Sequence, residues 1–134
     1  ALSLKAAENQ VSVHVSGSAA LTANRSMMYE MLYNLVDNAI KYNRSGGTVR
    51  LTLSQTKRQT KIAVADTGIG IPAEAQGRVF ERFYRVDKSR SKKTGGTGLG
   101  LAIVKHIVMV HGGRIDLSSK RDEGTTLTIR FSLD

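Results

Sequence analysis

The segment Met28-Tyr-Glu-Met31-Leu32-Tyr-Asn34-Leu35-Val36-Asp37-Asn38-Ala39-Ile40-Lys41-Tyr42 carries two helical patterns at once. Its apolar residues, Met28, Met31, Leu32, Leu35, Val36, Ala39 and Ile40, recur with the helical period and predict one buried face. Asn24 is a suitable N-cap, and Asn43 with the Ser45-Gly46-Gly47 turn predicts the end. On the other side Asn34, Asp37, Asn38 and Lys41 stand at i, i+3, i+4 and i+7 and form a polar stripe. A solvated helix face reads the same way, although such a face is ordinarily made of Glu and Lys. Amide oxygens and a carboxylate instead suit Mg²⁺, which shares its ligands with substrate phosphates, and a lysine supplies a point charge for phosphate.

Short strands flank this helix in the sequence. Val11, Val13 and Val15 alternate with polar residues, and Ala19–Ala23 follows, so an opening pair of strands is expected. Thr48–Ser54 and Lys61–Ala65 predict an antiparallel hairpin with Val49, Leu51, Leu53, Ile62 and Val64 on one face. Ala73–Phe83 reads as a short helix after Pro72, and Tyr84–Thr94 as a polar basic loop. Leu99–Val110 is apolar nearly all round and predicts a buried helix ended by Gly112-Gly113. Arg114–Ser118 and Thr125–Leu133 form a final hairpin turning at Asp122-Glu123-Gly124. The expected fold class is α/β: a two-layer α/β sandwich, a mixed sheet of about five strands covered on one face by about three helices. One small domain over 1–134 is expected, without repeat or linker.

Two further segments carry chemistry. Asp66 closes the second hairpin strand and runs into Thr67-Gly68-Ile69-Gly70-Ile71-Pro72, where a strand-end carboxylate stands beside bare backbone. Such a carboxylate suits a ligand with an amino donor, adenine N6 among them, although an ordinary Asx turn reads the same way. Gly95-Gly96-Thr97-Gly98-Leu99-Gly100 runs into the apolar helix, and glycine-rich amides at a helix start attract phosphate. Leu101 stands where a dinucleotide fingerprint needs glycine, and Leu101-Ala102 replaces the Lys-Ser/Thr of a P-loop. With no His-Arg-Asp loop either, protein kinases of the eukaryotic type are excluded.

Composition narrows the class. Twenty Lys and Arg against eleven Asp and Glu give a net charge of +9, and there is no cysteine. Disulfide scaffolds and Cys-based zinc sites are therefore excluded. No apolar run reaches the length of a membrane span. Seven basic residues cluster between Arg78 and Lys93 against Glu81 and Asp87, so the excess charge is local. With few aromatics and no nucleic-acid-binding motif, a nucleic-acid partner is not expected. Phe80 with Phe83, and Met27, Met28 and Met31, read as core contacts. His111 reads as a helix C-terminal residue, His106 as a local packing or capping residue, and His14 lies on a strand.

Taken in order, Asn34-Leu-Val-Asp-Asn38-Ala-Ile-Lys41-Tyr42, Asp66-Thr-Gly68-Ile-Gly70, Phe80-Glu-Arg-Phe83-Tyr-Arg85, Gly96-Thr-Gly98-Leu-Gly100-Leu and Gly124-Thr125-Thr126 resemble the N, G1, F, G2 and G3 boxes of sensor histidine kinases. The resemblance covers essentially the whole chain, and is to the catalytic ATP-binding domain, the Bergerat fold also found in gyrase B, Hsp90 and MutL proteins. It implies ATP and Mg²⁺ as the cofactors. Asn38 would hold the metal, with Asn34 beside it, and Lys41 would meet a phosphate. Tyr42 would lie against adenine and Asp66 would accept its N6 hydrogen bond. Gly68 and Gly70, with Ile71 next to them, would let the base approach. Gly96, Thr97, Gly98, Leu99, Gly100 and Leu101 would line the phosphates, Gly98 and Gly100 through their amides. A hydroxyl of Thr125 or Thr126 would complete the adenine site. Arg82 or Arg85 would touch the γ-phosphate or the partner domain, and residues 84–96 would form a lid over ATP.

The reaction expected from this resemblance is phosphotransfer. Gyrase-type and Hsp90-type ATPases carry a water-activating Glu one turn before the metal-binding Asn; here that position is Asn34. Without that base the γ-phosphoryl group should go to a histidine on a separate dimerisation domain, and none of His14, His106 and His111 has the acidic neighbour of such a phosphoacceptor. The chain is accordingly expected to begin just after the dimerisation helices, around Ala1–Leu4. The partners implied are that helical domain and a response regulator. The expected location is the cytoplasmic side of a membrane-anchored sensor, with the membrane met only through the full-length protein. The alternatives are a serine kinase of the anti-sigma type or an ATP-binding regulatory module on the same fold.

Overall fold

A computed structural model of the chain describes residues 2–21, 23–85 and 98–133. Among these residues, three α-helices and five strands follow in the order α1 (Leu2–Glu8), β1 (Ser12–Gly17), α2 (Arg25–Lys41), β2 (Thr48–Gln55), β3 (Gln59–Asp66), α3 (Gly100–Val110), β4 (Arg114–Lys120) and β5 (Gly124–Ser132). The strands form one sheet in the order β1-β2-β3-β5-β4, in which β1 runs parallel to β2 and every other pairing is antiparallel. This is the expected mixed sheet of an α/β sandwich.

The helices lie on one face. Met31, Leu35, Val36, Ala39 and Ile40 of α2 and Val104, Ile107 and Val108 of α3 meet Val49, Leu51, Ile62, Val64, Leu127, Ile129 and Phe131 of the sheet. Burying each such aliphatic side chain is worth about 1.5–3 kcal/mol, so this layer supplies the main drive to fold. Asn24 caps α2 as expected, its side chain accepting from the Met27 amide at 3.0 Å. At the far end of α3, the His111 ring meets the Ile107 carbonyl at 2.8 Å and accepts the Asn24 amide at 3.2 Å, which joins that helix end to the α2 cap.

Several expectations are corrected. Residues 19–21 and 23 form no strand, and β1 pairs with β2, Val13 opposite Val49 and Val15 opposite Leu51. Side-chain bonds hold this segment instead: the Ala20 amide donates to Gln55 and its carbonyl accepts from Thr60. The helix expected over Ala73–Phe83 is a single 3-10 turn, Ala73–Ala75, followed by further i→i+3 bonds from Arg78, Glu81 and Tyr84. Phe83 consequently leaves the core and is 69% exposed, whereas Phe80 packs against it. The α3 helix is buried along one stripe only, with Met109 and Val110 exposed. Helix α1, which the periodicity does not announce, places Ala6 in the core.

Candidate functional site

Strand β3 is hydrogen-bonded on both sides, so its end is firmly placed. Its last residue, Asp66, accepts at Oδ1 from the Gly68 amide (2.9 Å) and the Thr125 amide (3.2 Å), leaving Oδ2 for another donor. Burial pushes the carboxyl above the usual aspartate range, and the two amide bonds only partly offset it. The following turn is tied down on three sides. The Ile69 amide donates to the Tyr42 carbonyl at the end of α2, the Asp122 amide to the Ile69 carbonyl, and the Ile71 amide to Ser119 Oγ. Ser119 in turn contacts Thr125 Oγ1 at 2.7 Å. Only glycine fits at position 68, where a Cβ would stand 2.3 Å from the Tyr42 carbonyl oxygen and 3.0 Å from Asp66 Oδ1.

Across the cavity the polar stripe of α2 faces the start of α3. Asn34 donates its amide to the Glu30 carbonyl at 2.8 Å, and its oxygen would lie 3.3 Å from a Cβ on Gly100. A side chain there would crowd that oxygen. Asn38 lines the same cavity. Asp37 is almost fully buried and takes Lys41 Nζ at 3.0 Å on one oxygen and Lys5 Nζ at 2.9 Å on the other. The Leu99 side chain does not cap the first turn of α3, and a helix start of this kind is where an anion would be met. Phe83 and Gly98, the residues flanking segment 84–97, are joined by a 2.8 Å bond from the Phe83 amide to the Gly98 carbonyl.

One cavity gathers most of the expected residues: Asn34, Asn38, Lys41, Tyr42, Asp66, Gly70, Ile71, Arg85, Gly98, Gly100, Leu101 and Thr125. Thr126 does not join them, because successive residues of β5 point to opposite faces. Arg82 and Leu99 line a separate groove with Phe83 and His106. Gly96 and Thr97, and the expected lid from residue 86 onward, lie outside the described residues. Sequence reasoning passed over the apolar walls, Val64, Ile69, Val79 and Leu127, although Val64 stood in the strand alternation. It also passed over Ser119 and Lys5.

The arrangement has an amino-accepting end at Asp66 and an anion-accepting end at Lys41 and α3. Between them stand hard amide oxygens of a kind that fits Mg²⁺. Among the described residues no three His, Asp or Glu converge, so a cation here would draw further ligands from phosphate oxygens and water.

A family model described as histidine kinase-, DNA gyrase B- and HSP90-like ATPase matches residues 23–134. Sensor histidine kinase RppB of Synechocystis sp. is 44% identical over 118 residues, which are 88% of this chain and 26% of RppB. Among solved structures, a mycobacterial sensor histidine kinase, MprB, superposes with a TM-score of 0.84 at 30% identity, covering 98% of this chain and 90% of that one. Full-length ShkA in complex with AMPPNP superposes with a TM-score of 0.79 at 30% identity, over 97% of this chain and 27% of that one. The chain thus spans about a quarter of the length of RppB and of ShkA.

Proposed function

This chain belongs to the histidine kinase-, DNA gyrase B- and HSP90-like ATPase family, and from that premise we propose that it binds Mg-ATP and donates the γ-phosphoryl group to a histidine of a separate helical dimerisation domain, in two-component signalling. The observation that carries the reading is the single cavity in which Asp66, Asn34, Asn38, Lys41 and the α3 start come together. In this reading Asp66 Oδ2 accepts the adenine N6 hydrogen bond, the bare backbone at Gly68 and Gly70 admits the base, and Tyr42 flanks it. Asn38 would hold the metal with Asn34 beside it, and Lys41 and the amides of Gly98 and Gly100 meet phosphates. Mg²⁺, when bound, offsets charge on the transferring phosphoryl group. Arg85 borders the same cavity.

Phosphotransfer, rather than hydrolysis, is supported by what stands near the γ-phosphate end. Among the described residues the carboxylates lining the cavity are Asp37 and Asp66. Asp37 is held by two lysines, and Asp66 stands at the opposite, adenine end in this reading, which leaves neither as a base for water at the γ-phosphate. Positioning and charge neutralisation then carry the catalysis. The partners in this reading are the dimerisation domain and a response regulator, and the setting is the cytoplasmic side of a sensor. Among the described residues no helix is long and apolar enough to cross a membrane.

Calorimetric titration with ADP and a non-hydrolysable ATP analogue, with and without Mg²⁺ and with GTP as control, tests the binding half. Adenine-selective, Mg²⁺-dependent binding is expected, followed by transfer of labelled phosphate to a supplied dimerisation domain. Failure to bind any nucleotide, or rapid ATP turnover by the chain alone, would overturn the reading.

A further inference from the structure

Lys5 belongs to α1, outside every segment to which the nucleotide reading assigns a role, yet its ammonium reaches the wall of the cavity. It stands 2.9 Å from Asp37 Oδ1, while Lys41 Nζ stands 3.0 Å from Asp37 Oδ2. One carboxylate therefore holds two ammonium groups, one at each oxygen. The Tyr33 hydroxyl, 3.5 Å from Lys5 Nζ, and the Tyr33 ring complete its surroundings. Helix α1 points Leu4 out, 65% exposed, while Lys5, its side chain 40% exposed, reaches across to bond Asp37. The bond to Asp37 raises the Lys5 pKa against the opposing effect of burial, so the ammonium stays charged at neutral pH.

Charge balance gives this arrangement a consequence. Asp37 and Lys41 both line the cavity. As an isolated pair they cancel, and a phosphate approaching Lys41 would meet the negative field of Asp37 and compete with it for the ammonium. Lys5 turns the cluster from neutral to singly positive. Asp37 is buried, so its charge is poorly screened by water and the correction is felt within the cavity.

We propose that Lys5 is a positioning residue for phosphate recognition: by neutralising and anchoring Asp37, it frees the Lys41 ammonium to turn to a phosphate. The inference rests on the nucleotide reading above, specifically on Lys41 meeting a phosphate.

The test compares ADP with adenosine, which lacks phosphates, by NMR titration of the 134-residue chain, a method that reads weak affinities. Lys5→Met is expected to lower ADP affinity about three- to tenfold, the effect of removing one partly screened charge, and to leave adenosine affinity unchanged. Lys5→Arg restores ADP binding, and so does Asp37→Asn placed in the Lys5→Met background, because it removes the charge that Lys5 offsets. ADP affinity unchanged in Lys5→Met, or ADP and adenosine weakened in parallel, overturns the proposal, the second outcome marking a purely structural role. Lys41→Met separates the two levels: if it binds ADP as the unaltered chain does, the phosphate role of Lys41 in the reading above has failed and the role of Lys5 falls with it, whereas ADP weakened by Lys41→Met but not by Lys5→Met overturns the role of Lys5 alone.

Discussion

The two ends of the cavity are made of different materials. At the Asp66 end the carboxylate is gripped by two backbone amides, the adjoining turn is bonded to α2 and to the β4–β5 turn, and the space beside Gly68 is closed by the Tyr42 carbonyl. At the Lys41 end the polar groups are held by other side chains: Lys5, Asp37 and Lys41 form a chain of charges, and Asn34 leans on one carbonyl of its own helix. A backbone-gripped end has one geometry, and a substitution there breaks it. A charge-held end redistributes charge when one member is lost, and its losses should be graded and rescuable.

The largest effect expected from this contrast is that of Gly68→Ala. The new methyl group would overlap the Tyr42 carbonyl oxygen at 2.3 Å, the acceptor of the 3.1 Å bond from Ile69, so backbone rather than a flexible side chain must move. Overpacking of this kind costs about 1–3 kcal/mol in stability. Adenine nucleotides, if they lie on this turn, should lose binding to beyond calorimetric reach. Thermal unfolding and titration of the variant check both, and an alanine tolerated here with ADP affinity intact would show that the turn is as adaptable as the opposite end.

Next in size is Asp66→Asn, which separates function from stability. Its Oδ1 can keep both amide bonds, but its second group becomes a donor facing the adenine N6 donor. ADP affinity should fall by about 1.5–3 kcal/mol, roughly ten- to a hundredfold, the worth of a hydrogen bond to a charged group. Stability should move the other way with pH. Burial raises the Asp66 pKa in the folded state above its unfolded value. The folded chain therefore binds more protons between those two values, and this group's contribution to stability is present below the unfolded pKa and lost as pH rises through the folded one. Denaturant unfolding of the parent chain and of Asp66→Asn across pH should show the parent losing ground through that window and the variant insensitive to it. Parallel curves would mean that the carboxylate is not desolvated.

The sequence disclosed the parts of this site whose signals are local. Helix α2 shows both its faces because its apolar residues keep the helical period from Met28 to Ile40 and its polar residues keep it from Asn34 to Lys41. The Asp66 turn and the Gly98–Gly100 helix start are legible because glycine marks positions where backbone must come close. Parallel pairing of β1 with β2 is not legible, since the chain runs through α2 between them and no local pattern records the register. Helix α1 escaped notice because it spans two turns, with Leu4 outward and Lys5 inward, which cancels its amphipathic signal. The misplacement of Phe83 follows from that of a helix: spacing three from Phe80 shares a face only if the helix continues, and here it gives way to turns beyond Ala75.

The smallest effect concerns the clasp at the charge-held end. Phe83 has φ +65°, a left-handed conformation that costs a side-chain-bearing residue about 1–2 kcal/mol, and its exposed ring recovers little by burial. Its partner Gly98 has φ +77°, and a Cβ there would lie 2.8 Å from the Phe83 backbone. What the clasp uses at position 83 is therefore its amide, which donates to the Gly98 carbonyl, and glycine has the same amide. Phe83→Gly relieves the left-handed strain but loosens the unfolded chain by about 0.4–1 kcal/mol, so the two largely offset and stability should change little, rising by at most about 1.5 kcal/mol. Gly98→Ala, by contrast, combines strain with overlap and should destabilise clearly. Denaturant unfolding of both variants resolves the asymmetry. If Phe83→Gly proves as damaging as Gly98→Ala, the ring itself anchors the clasp, and this end of the cavity is held by more than exchangeable charges.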